Sequence, residues 1–248
     1  MHTRRVAEDR SVLFREGLKP DTVLAYGPHP DQICDLYSPA EGSDVRRFPI
    51  VFLHGGYWRP EYDRMHARSA AGGLAAAGWR TVLVEYRRVP GDPDTTVRDV
   101  FDAIRCASKA FDQSRVVVVG HSAGGHLALL TSAHPELPVH AIVALAPLSD
   151  LAMADAWELD EGAVRQFLGA DASTRPDLDP HLSPEICAPT SIMHGSEDSI
   201  VPCSMSEGYG RRAGVPVVEL PNVGHYELID PLSIAWPELL AHLEESLR

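Results

Sequence analysis

The chain has 248 residues, of which 44% are hydrophobic and 23% are charged. This apolar content excludes a mainly disordered chain, and the length suffices for one large core. Lys and Arg number 22 against 35 Asp and Glu, so the formal net charge is −13. Such an acidic chain is not expected to bind nucleic acid or an anionic membrane surface.

Short apolar runs alternate with helical patterns along most of the chain, which is typical of parallel strands joined by crossover helices. The predicted strands cover residues 22–26, 32–37, 49–53, 81–86, 115–119, 140–145, 190–193 and 215–220. The predicted helices cover about 65–77, 95–111, 123–132, 203–213 and 227–247. Asp94 or Thr95 is the expected N-cap of the second helix, and the last is expected to be interrupted near Pro231 and Pro237. We therefore expect one α/β domain over residues 1–248, with a mainly parallel sheet flanked by helices.

Two segments depart from this alternation. The stretch 150–185 mixes apolar residues with many Asp and Pro, and a connection this long between strands is usually functional. We expect a small cap insertion there, with the apolar residues Met153, Trp157, Phe167 and Leu168. The Arg-containing N-terminal arm, about residues 1–20, is expected to be solvated.

Cysteine usage and hydropathy favour a cytoplasmic location. No apolar run approaches the ~18 residues of a membrane span, and no apolar stretch of signal-peptide length follows Met1. The four cysteines include no CxxC pair and are too sparse for a disulfide framework, so reduced thiols are expected. The sequence leaves a homodimer open.

The pentapeptide Gly120-His121-Ser122-Ala123-Gly124 fits G-x-S-x-G, the pattern of a serine on a sharp strand-to-helix turn. It follows a predicted strand of four valines and precedes a predicted helix, which is the context that this turn requires. The glycines remove Cβ atoms that would otherwise collide. The hydroxyl of Ser122 is therefore expected at the carboxyl edge of the sheet as a nucleophile. Its neighbour His121 is a candidate substrate contact.

A serine hydroxyl needs a base within reach, and the chain has 12 histidines. His225 is the best candidate because it lies between the last predicted strand and the final helix. His126 is expected to point away from a substrate, one turn into a helix. The acid that orients the base is expected at Asp198, in the loop after strand 190–193, with its neighbour Glu197 as the rival.

Acyl transfer also needs N–H donors aimed at the developing oxyanion. One is the backbone N–H of Ala123, directly after the candidate nucleophile. The others are expected at Gly55 and Gly56, in the glycine turn that follows strand 49–53, with the N–H of Tyr57 as a further candidate.

An apolar substrate pocket is expected between this turn and the cap. Tyr57, Trp58 and Trp157 are its candidate binding residues, and packing of the cap on the core is an equally good explanation for most of the apolar side chains. A short cap leaves little room for a long acyl chain, so a small acyl group is expected.

No metal or cofactor is expected. The chain contains no H-E-x-x-H and no paired-cysteine site. Residues 208–213 match G-x-G-x-x-A, but they lie within a predicted helix instead of following a strand, which argues against dinucleotide binding.

These motifs resemble the α/β-hydrolase superfamily over residues 22–247. The sequences GHSAGG at 120–125 and HGGYW at 54–58 are similar to those of esterases with HGG-type oxyanion loops. Together with GHSAGGHLA at 120–128 and the opening segment 26–39, they are most similar to arylformamidases, also called kynurenine formamidases.

That family hydrolyses N-formyl-kynurenine with a Ser–Asp–His triad and no cofactor. The resemblance implies Ser122, Asp198 and His225 as the triad of this chain, which agrees with the order expected from the residues. The resulting hypothesis is a serine hydrolase that cleaves a small ester or formamide through an acyl-enzyme. A tailoring acyltransferase and a non-catalytic hydrolase-fold binding protein are the alternatives, and an intact triad argues against the second.

Overall fold

The computed structural model describes residues 8–182 and 185–247, which form an eight-stranded sheet with helices on both faces. The strands are β1 (Thr22–Ala25), β2 (Ile33–Tyr37), β3 (Ile50–Leu53), β4 (Thr81–Val84), β5 (Val116–His121), β6 (Val139–Leu145), β7 (Thr190–Gly195) and β8 (Val217–Leu220). Their order across the sheet is β1-β2-β4-β3-β5-β6-β7-β8. β2 pairs antiparallel with both β1 and β4, and the other pairs among the described strands are parallel. The predicted α/β fold with a mainly parallel sheet is confirmed.

The central strand β5 is buried along its whole length. It lies between β3 and β6, and the register pairs Val119 with Phe52 on one side and with Val143 on the other. Continuous burial is typical of a parallel strand whose two faces are both covered. The last two residues of β5, Gly120 and His121, are thereby held at the middle of the carboxyl edge of the sheet.

The α-helices are α1 (Ser11–Phe14), α2 (Arg68–Ala76), α3 (Pro93–Ala110), α4 (Ala123–Leu130), α5 (Leu151–Ala156), α6 (Leu159–Leu168), α7 (Cys203–Ala213) and α8 (Ala235–Glu245). Leu74 of α2 and Leu239 of α8 belong to the buried cluster on one face of the sheet. Ile104 of α3 and Leu127 of α4 belong to the cluster on the other face. Among the described residues, no helix combines the length and the hydropathy needed to cross a bilayer.

The predicted N-cap of α3 and the predicted interruption near Pro237 were wrong, whereas the interruption near Pro231 is confirmed. The N-cap of α3 is Asp92, whose side chain accepts the N–H of Thr95, because Pro93 needs no hydrogen-bond acceptor at the first helical position. The last predicted helix is two elements, a 3₁₀ turn over Tyr226–Ile229 and then α8, and Pro231 lies between them. Pro237 causes no interruption, since it lies in the first turn of α8, where N–H groups have no intrahelical partner.

The stretch predicted as a cap contains α5, α6 and the two short 3₁₀ helices Ala172–Thr174 and Pro176–Leu178. Asp150 caps α5 by accepting the N–H of Met153 at 2.7 Å. Within α6, Asp160, Glu161 and Gly162 have positive φ values, so regular helix begins only after Gly162. Phe167 and Leu168 are buried in the core cluster, which anchors this segment on the α3–α4 face.

The N-terminal arm was expected to be solvated, and its residues 1–7 lie outside the described part of the chain. The described part of the arm differs from this expectation. From Glu8 onwards the arm is bound to the body of the protein. Val12 of α1 is buried in the core cluster of the α2–α8 face. The guanidinium of Arg15 donates to both carboxylate oxygens of Asp230. One buried side chain and one bidentate ion pair hold the arm, and four helical residues are too few to give a periodic signal in the sequence.

Acid is expected to destabilise the fold partly through His126 of α4. Burial lowers the pKa of this histidine to about 4, against about 6.5 in an unfolded chain. Between these values the unfolded chain binds the extra proton, so the free energy of unfolding falls as the pH falls. Urea unfolding at pH 7 and at pH 5 should show a contribution of about 2 kcal/mol from this residue.

His126→Gln keeps a donor for the carbonyl of Leu178, which His126 contacts at 2.8 Å, but does not titrate. The variant should lose about 2 kcal/mol of the pH 7 to pH 5 difference. The exposed His29 serves as the matched control, and His29→Gln should retain the full difference. Equal pH dependence in both variants would contradict the assignment to His126.

Candidate active site

Ser122 lies on a tight turn between β5 and α4. Its φ of 57° and ψ of −118° are unfavourable for a residue with a side chain. A Cβ at Gly120 would lie 2.1 Å from the carbonyl oxygen of Gly124, and a Cβ at Gly124 would lie 2.1 Å from that of Leu53. Both glycines of the pentapeptide are therefore required by close backbone contacts, as the sequence pattern predicts.

Gly124→Ala is expected to destabilise the protein by about 3 kcal/mol or more, because backbone atoms of β3 and the following loop would have to move. Gly208, inside α7, is the matched control, since a Cβ there meets no atom within 4 Å. Gly208→Ala should stabilise the protein by about 0.5–1 kcal/mol. Urea unfolding of the two variants measures both values, and an unchanged stability of Gly124→Ala would refute the close contact.

Asp198 and His225 form a close pair at the carboxyl ends of β7 and β8. Oδ2 of Asp198 lies 2.6 Å from Nδ1 of His225. Oδ1 of Asp198 accepts the N–H groups of Ile200 and Val201, both at 2.8 Å. The rival acid Glu197 is exposed, and the structure places the carboxylate of Asp198, not that of Glu197, against the imidazole.

The environment of Asp198 favours its charged form. Burial by itself would raise the pKa of this carboxyl group. The charge of His225 and hydrogen bonds from His194 and His225 outweigh burial, and they hold the pKa well below its usual range. His194, which the sequence analysis did not single out, lies 3.2 Å from Oδ2 of Asp198 and is itself fixed by Ser206 at 2.7 Å.

Ser122 and His225 line the same cavity. Because Nδ1 of His225 is bound to Asp198, its Nε2 is the ring nitrogen available to other groups. In the described part of the chain no hydrogen bond joins the side chains of Ser122 and His225. Hydrogen bonds of this kind are often long in unliganded sites and shorten when a substrate binds.

The glycine turn after β3 approaches the serine closely. A Cβ at Gly55 would lie 3.1 Å from the Cβ of Ser122, and a Cβ at Gly56 would lie 2.5 Å from that of Tyr62. Gly56 also has a φ of 109°, a conformation that side chains rarely adopt. Backbone groups of this turn can therefore reach an acyl group on Ser122. Ala123, the other predicted donor, is buried at the first position of α4.

A buried ion cluster supports the glycine turn from behind. Nδ1 of His54 lies 2.8 Å from the carbonyl oxygen of Gly55, and its Nε2 lies 3.2 Å from Glu85. Burial opposes ionisation of Glu85, but the hydrogen bond and charge of His54, together with Arg88, hold its pKa well below the usual range. The hydroxyl of Tyr86 donates to the carbonyl of His54 at 2.7 Å. These contacts fix the turn in one conformation.

A cavity of about 500 Å³ opens above these residues. Its lining includes the predicted substrate contacts His121, Tyr57 and Trp157. His121 is fixed by a contact of 3.0 Å between its Nε2 and the carbonyl oxygen of His225. The other lining residues are Arg10, Leu13, Phe14, Gly55, Gly56, Tyr62, His66, Ser122, Glu158, Leu159, Asp160, Ser199, Ile200, His225 and Tyr226.

The prediction that Trp58 contacts substrate was wrong. Trp58 is 3% exposed and does not line the cavity. Its ring stacks on Phe167 of the cap at 4.4 Å and meets His126 edge-on at 5.0 Å. Trp58 therefore packs between the cap and α4. Met153, Phe167 and Leu168 are likewise absent from the lining, so packing explains them.

Three lining residues come from the N-terminal arm, which the sequence analysis left outside the site. They are Arg10, Leu13 and Phe14. The guanidinium of Arg10 lies 5.7 Å from the ring centre of Tyr226, and Phe14 is 85% exposed. No motif marks these residues, so the sequence gives no signal that the arm lines the cavity.

One group of three side chains is of the residue types that bind metal ions. Ligand atoms of Cys203, Glu207 and Glu219 lie within 4.8 Å of one another. Burial, followed by the nearby carboxylates, raises the pKa of the Cys203 thiol to about 11, which disfavours the thiolate that metals bind. The cluster does not line the cavity.

The family model of BD-FAE matches residues 34–211, well over half of the sequence. The chain belongs to the BD-FAE family. The match includes the glycine turn, the serine turn, the cap and Asp198, and it ends before His225. The predicted resemblance to α/β-hydrolases of the esterase and arylformamidase type is confirmed.

The individual proteins that are similar to this chain include esterases and kynurenine formamidases. The chain is 25% identical to esterase LipC of Mycobacterium tuberculosis, over 84% of this chain and 60% of that protein. It is 29% identical to a kynurenine formamidase of Drosophila melanogaster, over 48% of this chain and 39% of that protein. The chain thus spans about half the length of the curated relatives it matches. A solved structure of esterase B from Lactobacillus rhamnosis is 19% identical, with a TM-score of 0.76 over 95% of this chain and 88% of that one, and shows the same fold.

Proposed function

We propose that the protein is a serine hydrolase that cleaves a small ester or formamide through an acyl-enzyme intermediate. Ser122 attacks the carbonyl carbon while His225 accepts the hydroxyl proton and then donates it to the leaving group. Asp198 orients the imidazole and stabilises its charged form. In the second half, His225 takes a proton from the water that attacks the acyl carbon. It returns this proton to the oxygen of Ser122 as the acyl–oxygen bond breaks, which releases the acid and the free serine.

The observation that carries this proposal is the pairing of Asp198 with His225 at 2.6 Å beside a strained serine turn that faces the same cavity. A structural serine gains nothing from a backbone conformation this unfavourable. The negative charge that forms on the carbonyl oxygen would be stabilised by backbone N–H groups of Gly55, Gly56 and Ala123. A Cβ at Gly55 would lie only 3.1 Å from the Cβ of Ser122, and this close approach of the two backbones supports the role.

The dimensions of the site favour a small acyl group. The hydroxyl of Tyr57 lies 3.4 Å from the carbonyl oxygen of Ile200, which narrows the cavity between the glycine turn and the Asp198 loop. A volume of about 500 Å³ is in the lower half of the range for small-molecule sites, which is about 300–1,000 Å³. The names of the relatives, an esterase and kynurenine formamidases, support esters or formamides as the substrate class.

A substrate panel tests the proposal. We expect kcat/KM for aryl acetate or N-formyl-kynurenine to exceed that for aryl octanoate by at least about tenfold, which is about 1.4 kcal/mol of transition-state binding. A formamide preferred by about tenfold over the acetate would identify a formamidase, and ester turnover without formamide cleavage would identify a carboxylesterase. Highest activity on the octanoate would contradict the small-acyl site.

Two alternatives give different outcomes in the same assays. An acyltransferase would form more acylated product than free acid when an alcohol competes with water. A non-catalytic binding protein would bind substrate without turnover. The ionised Asp198 paired to His225 supports an enzyme over a binding protein.

We also propose a cytoplasmic, single-domain protein. The four cysteines are free, and no two of them pair. Burial raises the pKa of the Cys34 thiol, so it stays protonated and unreactive at neutral pH. Titration of four thiols under native and denaturing conditions tests the reduced state, and cell fractionation tests the location.

A further inference from the structure

The carboxylate of Glu8 joins the two loops that carry Asp198 and His225. Its Oε1 accepts the N–H of Ser199, the residue after Asp198, at 2.7 Å. Its Oε2 accepts the backbone N–H of His225 itself at 2.8 Å. Ser199 is 191 positions and His225 is 217 positions away from Glu8 in the sequence. Both carboxylate oxygens of Glu8 are used for these contacts.

The arm that carries Glu8 is fixed independently of these two contacts. Val12 is buried, and the ion pair between Arg15 and Asp230 ties the arm to the loop before α8. Asp9, next to Glu8, is exposed, and among the described residues its carboxylate accepts hydrogen bonds only from Ser11 on the same arm, whose N–H donates at 2.9 Å. Of these two adjacent carboxylates, Glu8 therefore reaches the site and Asp9 does not.

Gly224 provides a second observation at the same place. A Cβ at this position would lie 2.5 Å from Oε2 of Glu8 and 3.3 Å from Oε2 of Glu227. The carboxylate of Glu8 thus occupies the space into which a side chain at position 224 would extend. The backbone of Gly224 does not have a positive φ, so the glycine is explained by this contact and not by its conformation.

We propose that Glu8 is a positioning residue, which sets the distance between the Asp198 loop and the His225 loop. The proposal rests on the proposed function, since positioning matters only if His225 moves protons. Hydrogen bonds to a carboxylate are roughly twice as strong as neutral ones, and two of them restrain both loops. A shift of about 1 Å in a reacting group can lower the rate about 100-fold.

Glu8→Ala and its control Asp9→Ala remove one carboxylate each from the same arm. We expect Glu8→Ala to lower kcat on aryl acetate about 100-fold, with KM within about threefold of wild type. The rate of inactivation by a small fluorophosphonate should fall in parallel. This probe reacts only if His225 is correctly placed to activate Ser122, and it makes few contacts with the residues that line the cavity. Asp9→Ala should match wild type, and Glu8→Gln, which keeps one acceptor oxygen, should fall between.

A merely structural arm would raise KM or lower the melting temperature and leave the fluorophosphonate rate unchanged, which would overturn the proposal. A double-mutant cycle that combines Glu8→Ala with Gly224→Ala adds an independent check. Alone, Gly224→Ala should lower kcat because it displaces the carboxylate, but in the Glu8→Ala background it should have little further effect. Additive losses would contradict the contact. If the wild-type protein is active and Glu8→Ala has the same kcat, only this proposal is overturned. If the wild-type protein neither hydrolyses the ester nor reacts with the fluorophosphonate, the proposed function is overturned as well.

Discussion

Ser122→Ala is expected to lower kcat on aryl acetate by about 10⁶-fold, the loss seen when a triad serine is removed from a serine protease. The variant has no atom that can form the acyl-enzyme, so only the weak effect of the oxyanion donors remains. Its melting temperature should stay near that of wild type, because alanine fits the turn as well as serine does.

Ser132 is a suitable control for this variant. Its hydroxyl donates to the carbonyl of Leu129 at 2.6 Å, it is buried near the end of α4, and it does not line the cavity. Ser132→Ala should retain wild-type kcat with a small loss of stability. A Ser122→Ala protein with more than about 1% of wild-type activity would show that another nucleophile carries the reaction.

Asp198→Asn is expected to lower kcat by about 10⁴-fold. The oxygen of the asparagine can still accept the N–H groups of Ile200 and Val201, so the loop should hold its shape. Its NH₂ group would then face Nδ1 of His225 and place the ring proton on Nε2. A ring in this form cannot accept the proton of Ser122.

Glu197→Gln is the matched control, since Glu197 is the adjacent carboxylate and its side chain is exposed. It should leave kcat unchanged. The two variants are compared under saturating substrate, with circular dichroism to verify the fold. If Glu197→Gln proved the more damaging of the two, the acid of the site would be one residue away from Asp198.

The parts of the site that sequence analysis predicted are local. The serine turn could be predicted because four buried valines and two glycines specify a strand that turns sharply into a helix within nine residues. The choice of Asp198 over Glu197 depended on loop position alone, and the structure places only Asp198 against His225.

The parts that sequence analysis missed depend on distant contacts. The carboxylate of Glu8 accepts the backbone N–H of His225, which is 217 positions away in the sequence. No spacing rule predicts a contact between the N-terminal arm and a loop so distant in the sequence. The prediction for Trp58 was wrong for a related reason, since its ring packs on Phe167 of the cap, which is far away in the sequence. Hydropathy predicts that such a residue is buried or in contact with apolar groups, but not whether cap or substrate provides them.

Covalent labelling followed by mass spectrometry tests the central claim most directly. After reaction with a fluorophosphonate, the intact protein should gain the mass of one phosphonyl group, and peptide mapping should locate it on Ser122. Ser122→Ala should gain no mass under the same conditions, while Ser132→Ala should react as wild type does. Labelling that survives Ser122→Ala, or that maps to another residue in the wild-type protein, would contradict the assignment of Ser122 as the activated nucleophile.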